Sequence, residues 1–359
     1  MRNIYIELAE LLKGKKHLAS ATIIETEGST PQIEGASAIF SSKGIVRGTL
    51  GGGALEADAE RKALEAIKKG ISFLYEFELE GNVTEEEAIC GGRVKILIDA
   101  FPQGQAEAFL NLRQSLLARK SGVLATLIES PSQKDFSLSR TWIRDDNIED
   151  IKKHPFSFFQ REIKQAFQEG RARLIKAEDV LSGDAWKEGL LFLEPLFPLP
   201  QLVIAGAGHV GQAVSHLGNF LSFEVIVIDD RPEFANSSRL PDADQIIVDD
   251  VGKAIKDFQI GSDTYLVIVT RGHSHDAEAL RECLNRDAAY IGMIGSKRKT
   301  NLMRERFLKE GWATPSQFDK IYAPIGIDIH SKTVEEIALS IAAQLVLIRH
   351  ELRERKEGK

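Results

Sequence analysis

Cysteine is nearly absent from this chain of 359 residues: there are two, Cys90 and Cys283. That number excludes a disulfide scaffold, a four-thiolate iron–sulfur cluster and a four-cysteine zinc site. No apolar run approaches the roughly 18 residues that a membrane span needs. The opening "MRNIYIELAELLKGKK" contains acids and no long apolar stretch, so it does not read as a signal peptide. An excess of positive charge is missing too. The formal net charge is -7, which argues against a surface built for nucleic acid. The expected setting is cytoplasmic, with no membrane or nucleic-acid partner and with both thiols reduced. The basic end "RHELRERKEGK" reads as a solvated helix end, where cations suit the helix dipole.

What is present is enough apolar residue, 43%, for the cores of two or three domains. Residues 1–105 read as an α+β domain with a mixed sheet. A helix carries Ile4, Leu8, Leu11 and Leu12 at helical spacing. A strand follows to about Glu27, then the loop "GSTPQIEGAS", a hairpin turning at Ser42-Lys43-Gly44, a helix from about Leu55 to Lys69, and the strands "FLYEFEL" and "GGRVKILIDAF". Residues 106–198 form a middle region. It holds a helix ("AEAFLNLRQSLLARK"), a strand ("GVLATLIES"), a polar loop or hairpin, and a linker through "DAWKEGLLFLEPLFPLP", whose prolines suit a connection. Residues 199–359 alternate short β-branched runs with helical patterns. That rhythm means a Rossmann-like, doubly wound parallel sheet. The last segment opens with Thr333-x-x-Glu336, a capping box.

Two glycine-rich turns stand out. Gly51, Gly52 and Gly53 directly precede the helix that carries Glu56, and such a run marks backbone that bends into φ > 0 or lies against something. Far downstream, Gly206-x-Gly208-x-x-Gly211 follows a strand, opens a helix, and precedes a second strand ending at Asp229, about 20 residues on, as the dinucleotide fingerprint requires. Gly206 allows the tight turn, Gly208 lets a pyrophosphate approach, and Gly211 lets helix and strand pack. His209 stands at the helix start, and Asp229 is placed for a ribose hydroxyl. The same glycines also serve packing alone, so the fold does not by itself establish a ligand.

Two later strand ends carry chemistry. "RGHSHD" offers an anion clamp in Arg271 and imidazoles, His273 and His275, that bind metal or shuttle protons, with Asp276 read as a helix N-cap. "SKRK", from Ser296 and Lys297 to Lys299, opens a helix and suits a phosphate. No distant ligand completes a metal site, so no metal is assigned. A third loop, "APIGIDIHSKT", brings Asp328 and His330 towards the final helix. No Ser-His-Asp order, paired carboxylates or Walker lysine is present, so no catalytic residue is assigned.

Taken together, "GSTPQIEGAS", "GTLGGGALE", "CGGRVKILID", "VIAGAGHVGQAV", "VIDDRPEF", "TRGHSHD", "YIGMIGSKRK" and "PIGIDIHSKTVEEIALSI" resemble the xanthine dehydrogenase accessory factor family, XdhC/CoxI. They span both terminal regions in the family's order. The resemblance implies a chaperone that binds molybdenum cofactor (molybdopterin) and delivers it to xanthine dehydrogenase or a related molybdenum hydroxylase. It also implies a sulfur donor such as a cysteine desulfurase as a partner, and a homodimer. Under it the cofactor contacts fall to Gly51, Gly52, Gly53, Glu56, Cys90, Gly206, Gly208, His209, Gly211, Asp229, Arg271, His273, Ser296 and Lys297. Members often carry the name xanthine dehydrogenase, but two cysteines and 359 residues argue against the catalytic component. The alternative is an NAD(P)-dependent oxidoreductase built on the Rossmann-like domain. One departure matters: many members of the family carry cysteine after the triple glycine, and here it is Ala54. Cys90, in "ICGGR", keeps the other family cysteine, as a ligand contact or as a small buried hydrophobe. Cys283 lies in a helix pattern and reads as packed.

Overall fold

The computed structural model describes residues 3–14, 17–79, 91–129, 136–153, 156–181 and 188–356. The chain divides into two compact units, Arg2–Pro198 and a second beginning at Leu199.

The first unit begins with α1 (Ile4–Leu12), then β1 (Leu18–Glu27), β2 (Ser37–Ser41), β3 (Gly44–Gly48), α2 (Gly53–Lys69), β4 (Phe73–Glu78) and β5 (Arg93–Asp99). The strands form one sheet in the order β3-β2-β1-β5-β4. Every pairing is antiparallel, which corrects the expected mixed sheet. The reason lies in the connections. Neighbours β1 and β2, and β2 and β3, are joined by loops, and the α2 crossover delivers β4 to the far edge. Alternation along β1 then assigns its two faces. Ala19, Ala21 and Ile23 pack with Ala59, Ala63 and Ala66 of α2, whose small side chains let the helix lie close. Ile24 faces the other way.

That other face meets a second sheet. α3 (Ala106–Leu117), β6 (Gly122–Glu129), β7 (Ser137–Arg144), α4 (Gln160–Glu169), β8 (Arg173–Lys176) and β9 (Leu190–Leu196) follow, with strand order β7-β6-β9-β8. The polar stretch supplies β7, which pairs antiparallel with β6. The segment expected to be a linker contains an interior strand instead, paired on both sides. Its run "LLFLEPL" is apolar on both faces because both are covered. Leu191 and Leu193 join the α4 core, while Phe192 meets Ile24, Leu97 and Ile128 from the first sheet and β6.

Among these apolar residues lies a buried polar network. Tyr5 donates its hydroxyl to Glu194 Oε1 at 2.7 Å. The Thr22 and Ser37 hydroxyls lie 2.9 Å apart, and Ser37 donates to the Gly35 carbonyl at 3.1 Å. Arg140 pairs with Asp99, and both side chains are almost fully buried. Burial raises the Glu194 carboxyl, and the Tyr5 hydrogen bond and the Arg140 charge offset this only in part, so its pKa is pushed from 4.5 up to about 7. Between those values the folded chain holds a proton that the unfolded chain has released. Stability therefore falls as pH rises through that window. Glu194→Gln is expected to flatten the profile. From pH 5 to pH 8 the wild type should lose about 2–3 kcal/mol more than the variant, measured by urea denaturation. Parallel losses would remove Glu194 as the cause.

The second unit contains β10 (Gln201–Ala205), α5 (His209–Phe220), β11 (Glu224–Asp229), β12 (Gln245–Val248), α6 (Val251–Asp257), β13 (Thr264–Ile268), α7 (His273–Cys283), β14 (Tyr290–Met293), α8 (Lys297–Lys309), α9 (Pro315–Phe318) and α10 (Val334–Lys356). The sheet is parallel throughout, in the order β12-β11-β10-β13-β14. Val203 and Ala205 face α6, α7 and α8, whereas Leu202 and Ile204 face α5 and α10. The sheet is thus doubly wound, with the order reversing between β10 and β13. Thr333 and Glu336 cap α10 reciprocally: each accepts from the other's backbone N–H.

Candidate functional site

In an open parallel sheet, ligands sit beyond the carboxyl ends of the strands where the order reverses. The Gly206 turn occupies that place. Gly206 has φ 118°, and a Cβ there would lie 2.5 Å from the Val269 carbonyl at the end of β13. A Cβ at Gly211 would lie 1.8 Å from the Gly206 carbonyl. Both glycines are fixed by packing. Gly208 differs: a Cβ there would meet nothing within 4 Å. It caps α5 with no side-chain hydrogen bond, so the first N–H groups of the helix remain for an outside acceptor. His209, the first helical residue, is exposed.

The side chains around the turn are largely engaged with each other. Asp229 accepts from the Ala207 N–H at 2.7 Å, the Arg231 N–H at 3.0 Å, and Arg231 Nε and Nη2 at 2.8 and 2.9 Å. Burial works against its charge, but the Arg231 and Ala207 hydrogen bonds prevail and hold its pKa below the ordinary value. The ribose partner expected at Asp229 therefore meets a carboxylate already occupied. Arg271 pairs with Asp230 at 2.7 Å. α7 starts at His273 with Gly272 as its N-cap, so Asp276 is not the cap. It is wholly buried, accepts from the Thr270 N–H and hydroxyl, and pairs with Lys299 at 2.8 Å. Ser296 caps α8 by accepting from the Lys299 N–H at 3.2 Å, and Lys297 and Arg298 are exposed beside it. Arg231 stands in "VIDDRPEF" but is not among the candidate residues that the sequence singles out. An arginine two residues past a strand-end aspartate was the available signal.

In the first unit, Gly51, Gly52 and Gly53 hold φ of 108°, 76° and 59°. A Cβ at Gly51 would lie 2.8 Å from Pro31, whereas one at Gly52 or Gly53 would meet nothing within 4 Å. Gly52 caps α2 without a side-chain hydrogen bond, and Ala54 is exposed. Glu56 braces this loop. Its Oε2 accepts from the Thr49 hydroxyl at 2.6 Å and the Leu50 N–H at 3.0 Å. The Thr49 bond is the main reason its pKa lies below the ordinary value. The Gly52 backbone also hydrogen-bonds Glu56, so the carboxylate holds the loop from several sides.

The segment 28–36 touches both glycine stretches of this unit. Besides the Pro31 contact with Gly51, a Cβ at Gly28 would lie 2.8 Å from the Gly91 carbonyl, and one at Gly92 would lie 2.3 Å from the Ser29 carbonyl. An open cleft of about 450 Å³ runs between Gly28, Leu79 and Gly91. Cys90 lies outside the described residues. Cys283 is fully buried, and burial pushes its thiol up to about 12, which makes it inert near neutral pH. Among the described residues no three His, Cys, Asp or Glu gather as a metal site, and no helix is long and apolar enough to cross a membrane.

Comparison with known proteins gives concordant matches. Residues 202–345 match the XdhC Rossmann domain, and residues 11–78 match the XdhC and CoxI family. The chain is 25% identical over 358 residues to a probable xanthine dehydrogenase component of Bacillus subtilis, covering 97% of this chain and 98% of that protein. It is 28% identical over 193 residues to the uncharacterized protein YqeB of Escherichia coli, covering 52% of this chain and 35% of that protein. Among solved structures, a xanthine dehydrogenase from Bacillus halodurans superposes with a TM-score of 0.73 at 26% identity, over 97% of this chain and 96% of the other.

Proposed function

We propose that this chain, which belongs to the XdhC and CoxI family, is an accessory protein that binds molybdenum cofactor and assists its insertion into a xanthine dehydrogenase or related molybdenum hydroxylase. The observation that carries the reading is the selective opening at Gly208. Its two partner glycines are closed by packing, and it alone leaves room for a group to approach the backbone. A phosphate fits there, because the N–H groups at the start of α5 are oriented donors at the positive end of a helix. Gly208 and His209 would hold the phosphate through their backbone. The cofactor, when bound, supplies the molybdenum centre that the client enzyme uses.

Sulfur chemistry falls to a separate donor such as a cysteine desulfurase. Cys283 is buried and Ala54 leaves the triple-glycine loop without a thiol, so Cys90 is the sole remaining candidate for direct contact. The complete strand–turn–strand–acid unit also motivates a nicotinamide-dependent oxidoreductase, but the occupied Asp229 carboxylate weighs against a ribose there. The test mixes the purified chain, without oxygen, with cofactor released from a molybdenum hydroxylase and follows molybdenum through gel filtration. Co-elution is expected, with weaker retention in Cys90→Ala. A protein peak free of molybdenum would overturn the proposal, and unchanged retention in the variant would remove the thiol from it.

A further inference from the structure

We infer that Arg231 sets the ligand class of the Gly206 turn: it closes the ribose-diol position at the end of β11 and offers a guanidinium to a phosphomonoester there instead. The inference rests on the reading above for the presence of a ligand at the turn and adds what kind of group that ligand carries.

Acceptor capacity comes first. An ionised carboxylate has about four lone-pair directions. Asp229 has four donors: the Ala207 N–H, the Arg231 N–H, and Arg231 Nε and Nη2. A ribose hydroxyl approaching Asp229 must displace one of them, and displacing part of a bidentate guanidinium trades a charge-assisted bond for a neutral one and leaves an arginine N–H without its acceptor. Only 3% of Asp229 is exposed, which makes that loss expensive. Arg231 is also held from its other side. Its guanidinium lies 3.9 Å from the centre of the Phe234 ring.

The same geometry creates a donor site. Arginine carries five N–H donors in a planar fork suited to phosphate. Asp229 takes those at Nε and Nη2, and the side chain keeps 18% of its surface exposed. A second guanidinium, Arg239, lies 4.8 Å from the same Phe234 ring. Its Nη2 donates to Gln212 Oε1 at 3.4 Å in the first turn of α5. Two guanidinia therefore share one aromatic ring between the end of β11 and the helix that opens with Gly208. Asp230, the other acid at this strand end, pairs with Arg271 at 2.7 Å. In place of a free carboxylate accepting from a diol, the position offers fixed cations to an oxyanion.

Calorimetric titration of the whole chain with NAD⁺ and NADP⁺ tests this, since the two differ by a phosphomonoester on the hydroxyl in question. The wild type should bind NADP⁺ at least about tenfold more tightly than NAD⁺. Arg231→Ala frees two acceptor directions on Asp229 and removes the fork, so the order of the two ligands should invert through a gain in NAD⁺ binding. A misfolded variant cannot mimic such a gain. Should Arg231→Ala fail to fold, the neutral and similarly sized Arg231→Gln carries the same expectation. Equal or tighter NAD⁺ binding by the wild type, an unchanged order in the variant, or no binding of either ligand by either protein would overturn the inference. Displacement of NADP⁺ by released molybdopterin would assign the phosphate position to the pterin, and its absence would assign it to a dinucleotide. Molybdenum failing to co-elute while the inversion holds would sink the proposed function and leave Arg231's role standing.

Discussion

Gly211→Ala is expected to unfold the second unit at a much lower temperature, while Gly208→Ala, three residues earlier in the same turn, is expected to leave its melting unchanged. The added methyl at 211 would lie 1.8 Å from the Gly206 carbonyl oxygen. That oxygen cannot swing away, because the Gly206 N–H is tied to the Ile228 carbonyl at 2.8 Å and Gly206 is pressed against Val269. Relief requires α5 to lift from β10, which would pull Val214 from the core it shares with Leu202 and Ile204. Overpacking of this severity costs about 3 kcal/mol or more, or roughly 10 °C in a unit of this size. At 208 the backbone has φ -67°, ordinary for alanine, and the methyl meets nothing. A stability change within about 0.5 kcal/mol follows. Under the proposed function, however, the methyl would stand in the path of the phosphate, so Gly208→Ala should melt normally yet lose cofactor retention. Circular dichroism melts of both variants decide the matter. Equal destabilisation would show that the two glycines do not divide the labour of packing and access.

Arg140→Ala should destabilise the first unit by about 3–5 kcal/mol, because it leaves the Asp99 carboxylate buried without its cation. Only 3% of the Asp99 side chain and 4% of Arg140 are exposed, so water cannot take over. Arg140 lies on β7 and Asp99 ends β5, so the pair joins the two sheets of the unit. Arg140 Nε also donates to Thr126 Oγ1 at 3.3 Å, and its guanidinium lies 5.5 Å from the Phe109 ring centre. Asp99 additionally accepts from the Phe101 N–H at 2.8 Å, where the chain turns towards α3. A buried pair is often replaceable as a pair. The double variant Arg140→Met, Asp99→Leu should accordingly be more stable than Arg140→Ala. Urea titrations of the three proteins provide the comparison. A double variant less stable than the single one would mean that the pair contributes net stability beyond mutual neutralisation.

Legibility in the sequence followed the range of the interactions involved. The second unit could be read because its strands, its glycine turn and the Thr333–Glu336 cap are all local patterns, repeated at short spacing. Interior β9 could not, because a fully buried strand lacks alternation and its Pro195 and the nearby Pro198 and Pro200 imitate a linker. The polar network was invisible for a different reason. Tyr5 and Glu194 are 189 residues apart, and nothing near either announces the other. Among the candidate residues, sequence shows which glycines open the two helices but says nothing of competition. It showed Asp229, Arg271 and Lys299 as available groups, whereas each is matched to a neighbour of opposite charge, Arg231, Asp230 and Asp276. Pairing is a property of three-dimensional proximity, and spacing along the chain does not encode it.

The hydrogen bond from Tyr5 to Glu194 also bears on how the protein is made. Within the first unit, α1 leaves the ribosome before every other element, and β9, the interior strand of the second sheet, leaves last. Until residue 196 is free, β6 lacks its neighbour on one side and the first sheet lacks the face that covers Ile24 and Leu97. The face formed by Ile24 and Leu97 must therefore wait uncovered for about 100 further residues of synthesis, from Leu97 to Leu196, a long exposure for a structure dominated by distant contacts. Within this unit, the family match over 11–78 stops short of β5, the strand between β1 and β4. A fragment cut to that match would emerge as a sheet missing an interior strand, and so as an aggregating peptide in place of a domain.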